Sequence, residues 1–364
     1  MSDYRLKNVL DKKAKDLGFN IIKFAPAQLM DLWKAEIEQR KILDKATINY
    51  WSEKNLTSSY DTIMEDGRTF IVASYPYKPI KAGIGPQNAY INAHYMAYPK
   101  GRAAMQEIGD ILISNNYKAL VDPPLPIKHI AYKSGIGLFG KNGLIHNEKE
   151  GSLMTLHLLL TNADFPYSKS YDKKITDCGS CRKCIDACPN DAISDKGRII
   201  VSKCLRYYML SSDIIPVDIR EKMGNRILGC EDCQITCPKN ADKYKNIDQG
   251  DSYKEIFNIM DILKNHHGLK KYMKQLGQVI GKNYARPRRI ISMAIIAAGN
   301  SGDSIFVEPL SQTLCHQDPP IRAHSAWALG RIAGKDAIVI LKEALRKESD
   351  RLVVNEINNV INKT

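Results

Sequence analysis

The sequence predicts an α+β protein in three parts: an α/β part over residues 1–165, a cysteine-rich module over 166–245, and a basic helical linker followed by helical repeats over 246–364. Three observations predict this. Strand-like and helix-like patterns interleave before residue 165. Eight of the nine cysteines crowd between Cys178 and Cys237. Beyond Lys282 the pattern is helical and repeats, Ala297-Ala298-Gly299 returning as Ala328-Leu329-Gly330 and Leu310 and Leu314 returning as Leu341 and Leu345. A chain of 364 residues has room for two or three domains, and 44% hydrophobic content is that of a globular protein.

Within the first part, residues 3 to 24 read as a helix and then a short strand, Asn20 to Phe24, ending at Pro26. A charged helical segment follows to about Lys54. Thr69 to Tyr75 is a buried strand by its β-branched and aromatic content, closed by Pro76 and Pro79. The Pro- and Gly-rich stretch from Lys78 to Gln87 is a loop, and Ala89 to Asn115 is helical. Leu120-Val121-Asp122 is a strand end that breaks on Pro123-Pro124. A helix from Ile127 to Ser134 leads into Gly135-Ile136-Gly137-Leu138-Phe139-Gly140-Lys141-Asn142-Gly143, and Ser152 to Leu160 alternates like a strand. The glycine stretch lacks the spacing of a phosphate loop. Its glycines say that backbone approaches something closely, a tight turn or a flat ligand; taken alone, the turn is the simpler reading.

The cysteines carry the chemistry. Cys178, Cys181, Cys184 and Cys188 follow C-x2-C-x2-C-x3-C-P, the run of bacterial two-cluster ferredoxins. Cys230, Cys233 and Cys237 form a second run ending in Pro238, with Cys204 between the two. A cubane [4Fe–4S] cluster takes three thiolates from one tight loop and a fourth from a distant stretch. We assign Cys178, Cys181, Cys184 and Cys237 to one cluster, and Cys188, Cys204, Cys230 and Cys233 to another. Zinc would not call for the third and fourth cysteines of the first run, and disulfides would need an oxidising compartment that nothing here suggests. The ninth cysteine, Cys315, lies in a helical pattern and reads as a small buried hydrophobe.

The net charge is +13, unevenly spread. Lys264, Lys270, Lys271, Lys274, Lys282, Arg286, Arg288 and Arg289 follow one another with no acid among them. Such a stripe suits a phosphate backbone, or is a solvated face; charge alone does not separate the two. Arg322 and Arg331 either extend it or are solvated. The helical repeats resemble HEAT-type units, which stack to bury a shared apolar face. Met1 to Phe19 has no apolar signal-peptide core, and no run reaches the length of a membrane span, so a cytoplasmic protein with no membrane partner is expected.

Taken together, Asp122 after its strand, the Gly135–Lys141 loop, Gly151-Ser152, the double cysteine runs with Gly224-Asn225-Arg226-Ile227 and Gly229 before Cys230, and the repeats resemble the epoxyqueuosine reductase family, cobalamin-dependent iron–sulfur enzymes related to reductive dehalogenases. The resemblance covers nearly the whole chain and is strongest from Asp122 to Asn240. It implies a nitroreductase-like α/β domain for cobalamin, a ferredoxin-like module with two [4Fe–4S] clusters, and reduction of epoxyqueuosine at the tRNA wobble position to queuosine. Asp122 would be the proton donor; its alternative is a turn residue before Pro123. Gly135, Gly137, Gly140, Lys141, His94 and Tyr95 are the expected cobalamin contacts. Lys270, Lys271, Lys274, Arg286, Arg288 and Arg289 would grip the anticodon arm. An external electron donor such as ferredoxin or flavodoxin is expected, and a monomer. Asp261, His266, His267 and Gly268 do not make the D-x-H-x-x-G spacing of a histidine-ligated cobalamin, which fits a base-off cofactor. The family's Arg-Asp-Tyr-His run is missing; His94, Tyr95 and Arg102 offer similar chemistry in another order, and Pro124 to Lys128 departs from the family beside Asp122. Two alternatives are a dehalogenase-like reductase of a small molecule and an electron-transfer module without cobalamin.

Overall fold

The computed structural model describes residues 3–28, 38–39, 42, 44, 59–80, 85–167, 175–245, 247, 256–266 and 270–363. Most of the charged helix expected up to Lys54 lies outside these residues. Contacts divide the chain into two interleaved units, one of Met1–Pro79, Met96–Cys204 and Glu231–Asn246, the other of Ile80–Tyr95, Leu205–Cys230 and Ile247–Thr364.

The first unit is built on a four-stranded antiparallel sheet in the order β1 (Ile21–Pro26), β2 (Thr69–Pro76), β7 (Met154–Thr161), β4 (Ala119–Val121). β2 is apolar almost throughout because both faces of the sheet are covered. Its odd-numbered Ile71 and Ala73 pack with Leu159 against helix α1 (Tyr4–Asp16) and helix α2 (His94–Ser114). Its even-numbered Phe70 and Val72 pack with Leu158 and Leu160 against helix α3 (Ile127–Lys133). The Asp3 carboxylate accepts from the Leu6 amide at 2.8 Å and so caps α1. The glycine stretch is a hairpin, β5 (Leu138–Phe139) against β6 (Ile145–His146), whose turn closes with the Gly140 amide donating to the Leu144 carbonyl at 2.8 Å. A Cβ on Gly137 would stand 2.2 Å from the His146 carbonyl oxygen, so the close approach this glycine signalled is to its own hairpin.

In the second unit the helix expected over Ala89 to Asn115 starts later. Tyr90–Ile91 form β3, paired in parallel with Arg226–Leu228. The Asn92 side chain then accepts from the His94 amide at 2.8 Å, starting α2. A partner strand more than a hundred residues away decided this, so local periodicity did not show it. The repeats stack as helices α4 (Pro287–Ser301), α5 (Val307–Thr313), α6 (Pro319–Ala333), α7 (Ala337–Lys347) and α8 (Arg351–Lys363). The repeated Ala-x-Gly is a close-packing device: a Cβ on Gly299 would lie 2.8 Å from the Trp327 ring, and one on Gly330 2.2 Å from Val360. Leu310 and Leu341 are buried at matching positions.

Three expectations change. Cys315 is exposed, because α5 ends at Thr313 and Cys315 falls in the turn beyond it. Arg322 does not extend a basic stripe, since its guanidinium is held by Glu348 at 2.6 and 2.9 Å. Arg331 pairs with Glu221 at 2.9 Å.

Candidate functional site

Two polar centres form within the first unit. The first is Asp122. β4 ends at Val121, and Asp122 takes a positive φ of 47°, a conformation that Asp tolerates better than most residues. Its backbone amide donates to the Leu158 carbonyl at 2.7 Å, and its Oδ1 accepts from the Leu158 amide at 3.0 Å. β7 thus fixes both ends of the residue. Oδ2 is the meeting point of three groups: the Tyr98 hydroxyl donates to it at 3.0 Å, His157 Nδ1 lies at 3.3 Å, and the exposed Arg102 Nε lies at 3.7 Å. The other ring nitrogen of His157 is 2.9 Å from the Thr155 hydroxyl. His157 is fully buried on β7, and Gly101 of α2 makes room for it, since a Cβ there would stand 2.3 Å from Nε2. Burial works against the charge on Asp122, but His157, the Leu158 amide and the Tyr98 hydroxyl outweigh it and hold the carboxyl below its usual range. The group is ionised at rest, with 10% of its side chain exposed.

The second centre is made of thiols. Cys178, Cys181, Cys184 and Cys237 line one pocket, together with Lys141, Lys183, Lys239 and His146. None is in a disulfide. Burial and the nearness of Cys178, Cys237 and Cys181 push the Cys184 thiol up, and burial with Cys178 and Cys181 does the same for Cys237. Four thiols around one pocket are a donor set for a thiophilic group with four binding corners, which fits a [4Fe–4S] cluster. Lys239 donates to Asp177 at 2.7 Å, so one ion pair joins the residue before Cys178 to the stretch after Cys237. His146 Nε2 lies 3.2 Å from the same carboxylate; burial and Lys239 push this histidine below its usual range. Cys188 and Cys233 pack beside Cys184, Ile185 and Ile193, and the Cys188 sulfur accepts from the Ala192 amide at 3.2 Å. Cys204 ends the second segment of this unit, and Cys230 belongs to the other unit.

The second cysteine run is anchored to the start of β7. Ser152 donates its amide to Asn240 Oδ1 at 2.8 Å, Asn240 Nδ2 donates to the Gln234 carbonyl at 2.9 Å, and Gln234 Nε2 donates to the Ser152 carbonyl at 3.0 Å. Gly151 is needed there, because a Cβ would stand 2.1 Å from Asn240 Oδ1. Sequence reasoning missed the partners of Asp122. The available signal was the pair Thr155 and His157, two polar residues at alternate positions in the strand-like run Met154 to Leu160.

Of the residues assigned to cobalamin, Gly135, Gly137, Gly140 and Lys141 lie in the first unit and His94 and Tyr95 in the second. Lys141 donates to the carbonyls of Gly179 and Cys181, in the loop of the first cysteine run. Tyr95 is 1% exposed; its hydroxyl accepts from Arg206 Nε at 2.8 Å and its ring meets those of His94 and Tyr284 edge-on. Of the residues assigned to tRNA, Lys270, Lys271, Lys274 and Arg286 are exposed. Arg288 is paired with Asp318, and Arg289 is half-buried, its basicity lowered by burial and by Arg286.

Residues 177–240 match the 4Fe-4S double cluster binding domain family, and 283–361 match HEAT repeats. The epoxyqueuosine reductases of Bacillus subtilis and Bacillus anthracis are 28% and 27% identical to this chain, covering 99% and 97% of it and 96% of their own length. A solved structure of epoxyqueuosine reductase from Bacillus subtilis, with an aspartate catalytic loop swung out of the active site, superposes with a TM-score of 0.81 at 26% identity over 99% of each chain. One with an epoxyqueuosine-modified tRNA stem loop superposes with a TM-score of 0.82 at 24% identity, over 99% of this chain and 98% of the other; at that identity it speaks for the fold.

Proposed function

The chain belongs to the epoxyqueuosine reductase family and is an oxidoreductase, and on that premise we propose that it reduces epoxyqueuosine to queuosine in tRNA. The observation that carries the reading is Asp122. Removing an epoxide oxygen as water takes two electrons and two protons, and the departing oxygen must be protonated where it forms. Asp122 is a mostly buried carboxylate with one edge exposed and two proton-bearing neighbours, the Tyr98 hydroxyl and His157, on Oδ2. Because the resting carboxylate is ionised, Oδ2 first takes a proton from one of these neighbours and then passes it to the oxygen. The backbone clasp of Leu158 keeps Oδ2 aimed while the proton moves. Arg102 beside Oδ2 offers positive charge to an oxyanion or a phosphate. The relative solved with an aspartate catalytic loop swung out of its active site supports a catalytic role for an aspartate in this fold.

In this reading residues 1–165 form a nitroreductase-like domain holding the acid, 166–245 a ferredoxin-like module, and 246–364 a basic face. The two clusters, when bound, supply electrons one at a time, drawn from an external ferredoxin or flavodoxin, and the protein acts as a cytoplasmic monomer. Cys188, Cys204, Cys230 and Cys233 hold the second cluster. Cobalamin enters by resemblance, but the residues chosen for it from the sequence do not fit a corrin cradle: Gly137 packs on its own hairpin, Lys141 holds the cysteine loop and Tyr95 is enclosed. Lys270, Lys271, Lys274 and Arg286 present charge to the anticodon arm, with affinity falling steeply as salt rises.

The test is anaerobic reconstitution with iron, sulfide and cobalamin, then assay on tRNA carrying epoxyqueuosine, with Asp122→Asn alongside. The expected result is queuosine from the wild type and a loss of roughly 10²–10⁴-fold in the variant. A protein that loads both clusters yet gives no product would overturn the substrate. Because Arg288 is paired with Asp318 and Arg289 is half-buried, the basic face is smaller than the sequence suggested. That favours, as second reading, a dehalogenase-like reductase of a small molecule, for which tRNA binding would be absent at any salt concentration. Failure to take up cobalamin would leave the second alternative, an electron-transfer module.

A further inference from the structure

The turn of the β5–β6 hairpin places two consecutive side chains on two different cysteine loops. The Lys141 ammonium donates to the carbonyls of Gly179 at 2.8 Å and Cys181 at 2.9 Å, inside the loop of the first set. Asn142, the next residue, donates through Nδ2 to the carbonyl of Cys233 at 3.3 Å, in the loop of the second set. One loop thus receives a full positive charge and the other a neutral amide.

The ammonium is held in place along its length. Gly197, at a φ of 74°, lies against the Lys141 stem, and a Cβ there would stand 3.0 Å from the Lys141 Cα and 3.2 Å from its Cγ. Among the described residues no carboxylate forms an ion pair with Lys141. The other lysines lining the first pocket differ: Lys239 is matched by Asp177, and Lys183 is exposed. Lys141 is the cation whose charge is both fixed on the ligand loop and left uncancelled.

A cluster that accepts an electron becomes more negative, and a fixed cation beside it favours that state. We propose that Lys141 sets the two clusters apart, its charge raising the reduction potential of the cluster held by Cys178, Cys181, Cys184 and Cys237 and leaving that of the other unaltered. Lys141 is then a positioning residue for electrons, acting through the ligand loop, and Asn142 braces the second loop without biasing it. This rests on the iron–sulfur content of the chain and is independent of its substrate.

The experiment is a potentiometric titration of the reconstituted protein followed by electron paramagnetic resonance, in the wild type, Lys141→Gln and Lys141→Arg. Gln keeps a donor for the two carbonyls and removes the charge; Arg keeps the charge. Cys204→Ser, which removes a ligand of the second set, identifies which signal belongs to the first. The expected result is that K141Q makes the first cluster harder to reduce, on the order of tenfold in the equilibrium constant or about 59 mV for one electron. The second cluster stays where it was, and K141R behaves as the wild type. An unmoved first cluster in K141Q, or an equal shift of both clusters, would overturn the proposal. So would a K141Q protein that fails to take up the first set's iron while K141R takes it up, since Lys141 would then be a brace only. The titration needs neither tRNA nor turnover, so its failure leaves the reductase reading standing, and the reverse also holds.

Discussion

The carboxylate centre and the thiol centre of the first unit are held by opposite means. Asp122 is fixed from within: both backbone and side chain are tied to Leu158 on a central strand, and Tyr98 and His157 complete its Oδ2. The thiols sit on loops with short helical turns, such as Lys183–Asp186 and Asp232–Ile235, and are clamped from outside by Lys141, Lys239 and Asn240. The difference teaches where each centre gets its shape. The first is a product of the fold, tight enough to feel one methyl group. The second is a set of loops held together by a few side-chain clamps around four thiols.

The largest expected effect breaks the thiol set. Cys184→Ser should halve the iron bound after reconstitution, read by iron and sulfide analysis, while leaving the Asp122 centre and the fold intact. Equal iron in variant and wild type would remove Cys184 from the ligand set. The next strikes the carboxylate centre at a distance. In an ordinary helix Gly→Ala stabilises, but Gly101→Ala would press a methyl group onto His157 and Tyr75, so we expect a loss of about 3 kcal/mol in chemical denaturation. A third effect sharpens the contrast through pH. The Asp122 carboxyl is held below the 3.8 of an ordinary aspartate. Its folded pKa lies beneath its unfolded one, so its contribution is complete above about pH 4 and is lost as pH falls through the folded value. Asp122→Asn should therefore be less stable than the wild type by about 2 kcal/mol at neutral pH, with the gap closing in acid. A gap unaltered by acid would break the account of Asp122 as a held charge. The smallest effect lies on the thiol side: Gly179 has open space around it, so Gly179→Ala should cost only the strain of its positive φ of 52°, about 1 kcal/mol.

What was legible in the sequence follows the same division. The thiol centre was readable because its ligands are chemically unmistakable and three lie within one short run, Cys178 to Cys184. The repeats were readable because Ala297–Gly299 and Ala328–Gly330 recur at fixed spacing, as close packing of helices requires. Asp122 was singled out by the family resemblance, since by itself an Asp before two prolines reads as a turn residue, and its partners were not legible. Tyr98 and Arg102 come from α2 and His157 from β7, and only the packing of these elements around the end of β4 brings them to one oxygen. The start of α2 was misjudged for the same reason, because Tyr90 and Ile91 answer to Arg226–Leu228. The bonds of Lys141 to the first cysteine loop were not legible because a lysine in a glycine-rich turn carries no mark of the loop it reaches.

The interleaving of the two units bears on how the protein is made. Neither unit is a continuous piece of chain, and the first closes only with its third segment, Glu231–Asn246. Cys178, Cys181 and Cys184 leave the ribosome as three thiols on one loop, and the fourth of their set, Cys237, is 53 residues behind Cys184. At roughly 5–20 residues per second, they wait about 3–10 s for it. Through that interval the nascent chain carries a half-built metal site, open to oxidants and to stray metals. Cluster insertion is thereby a late event, timed by translation itself.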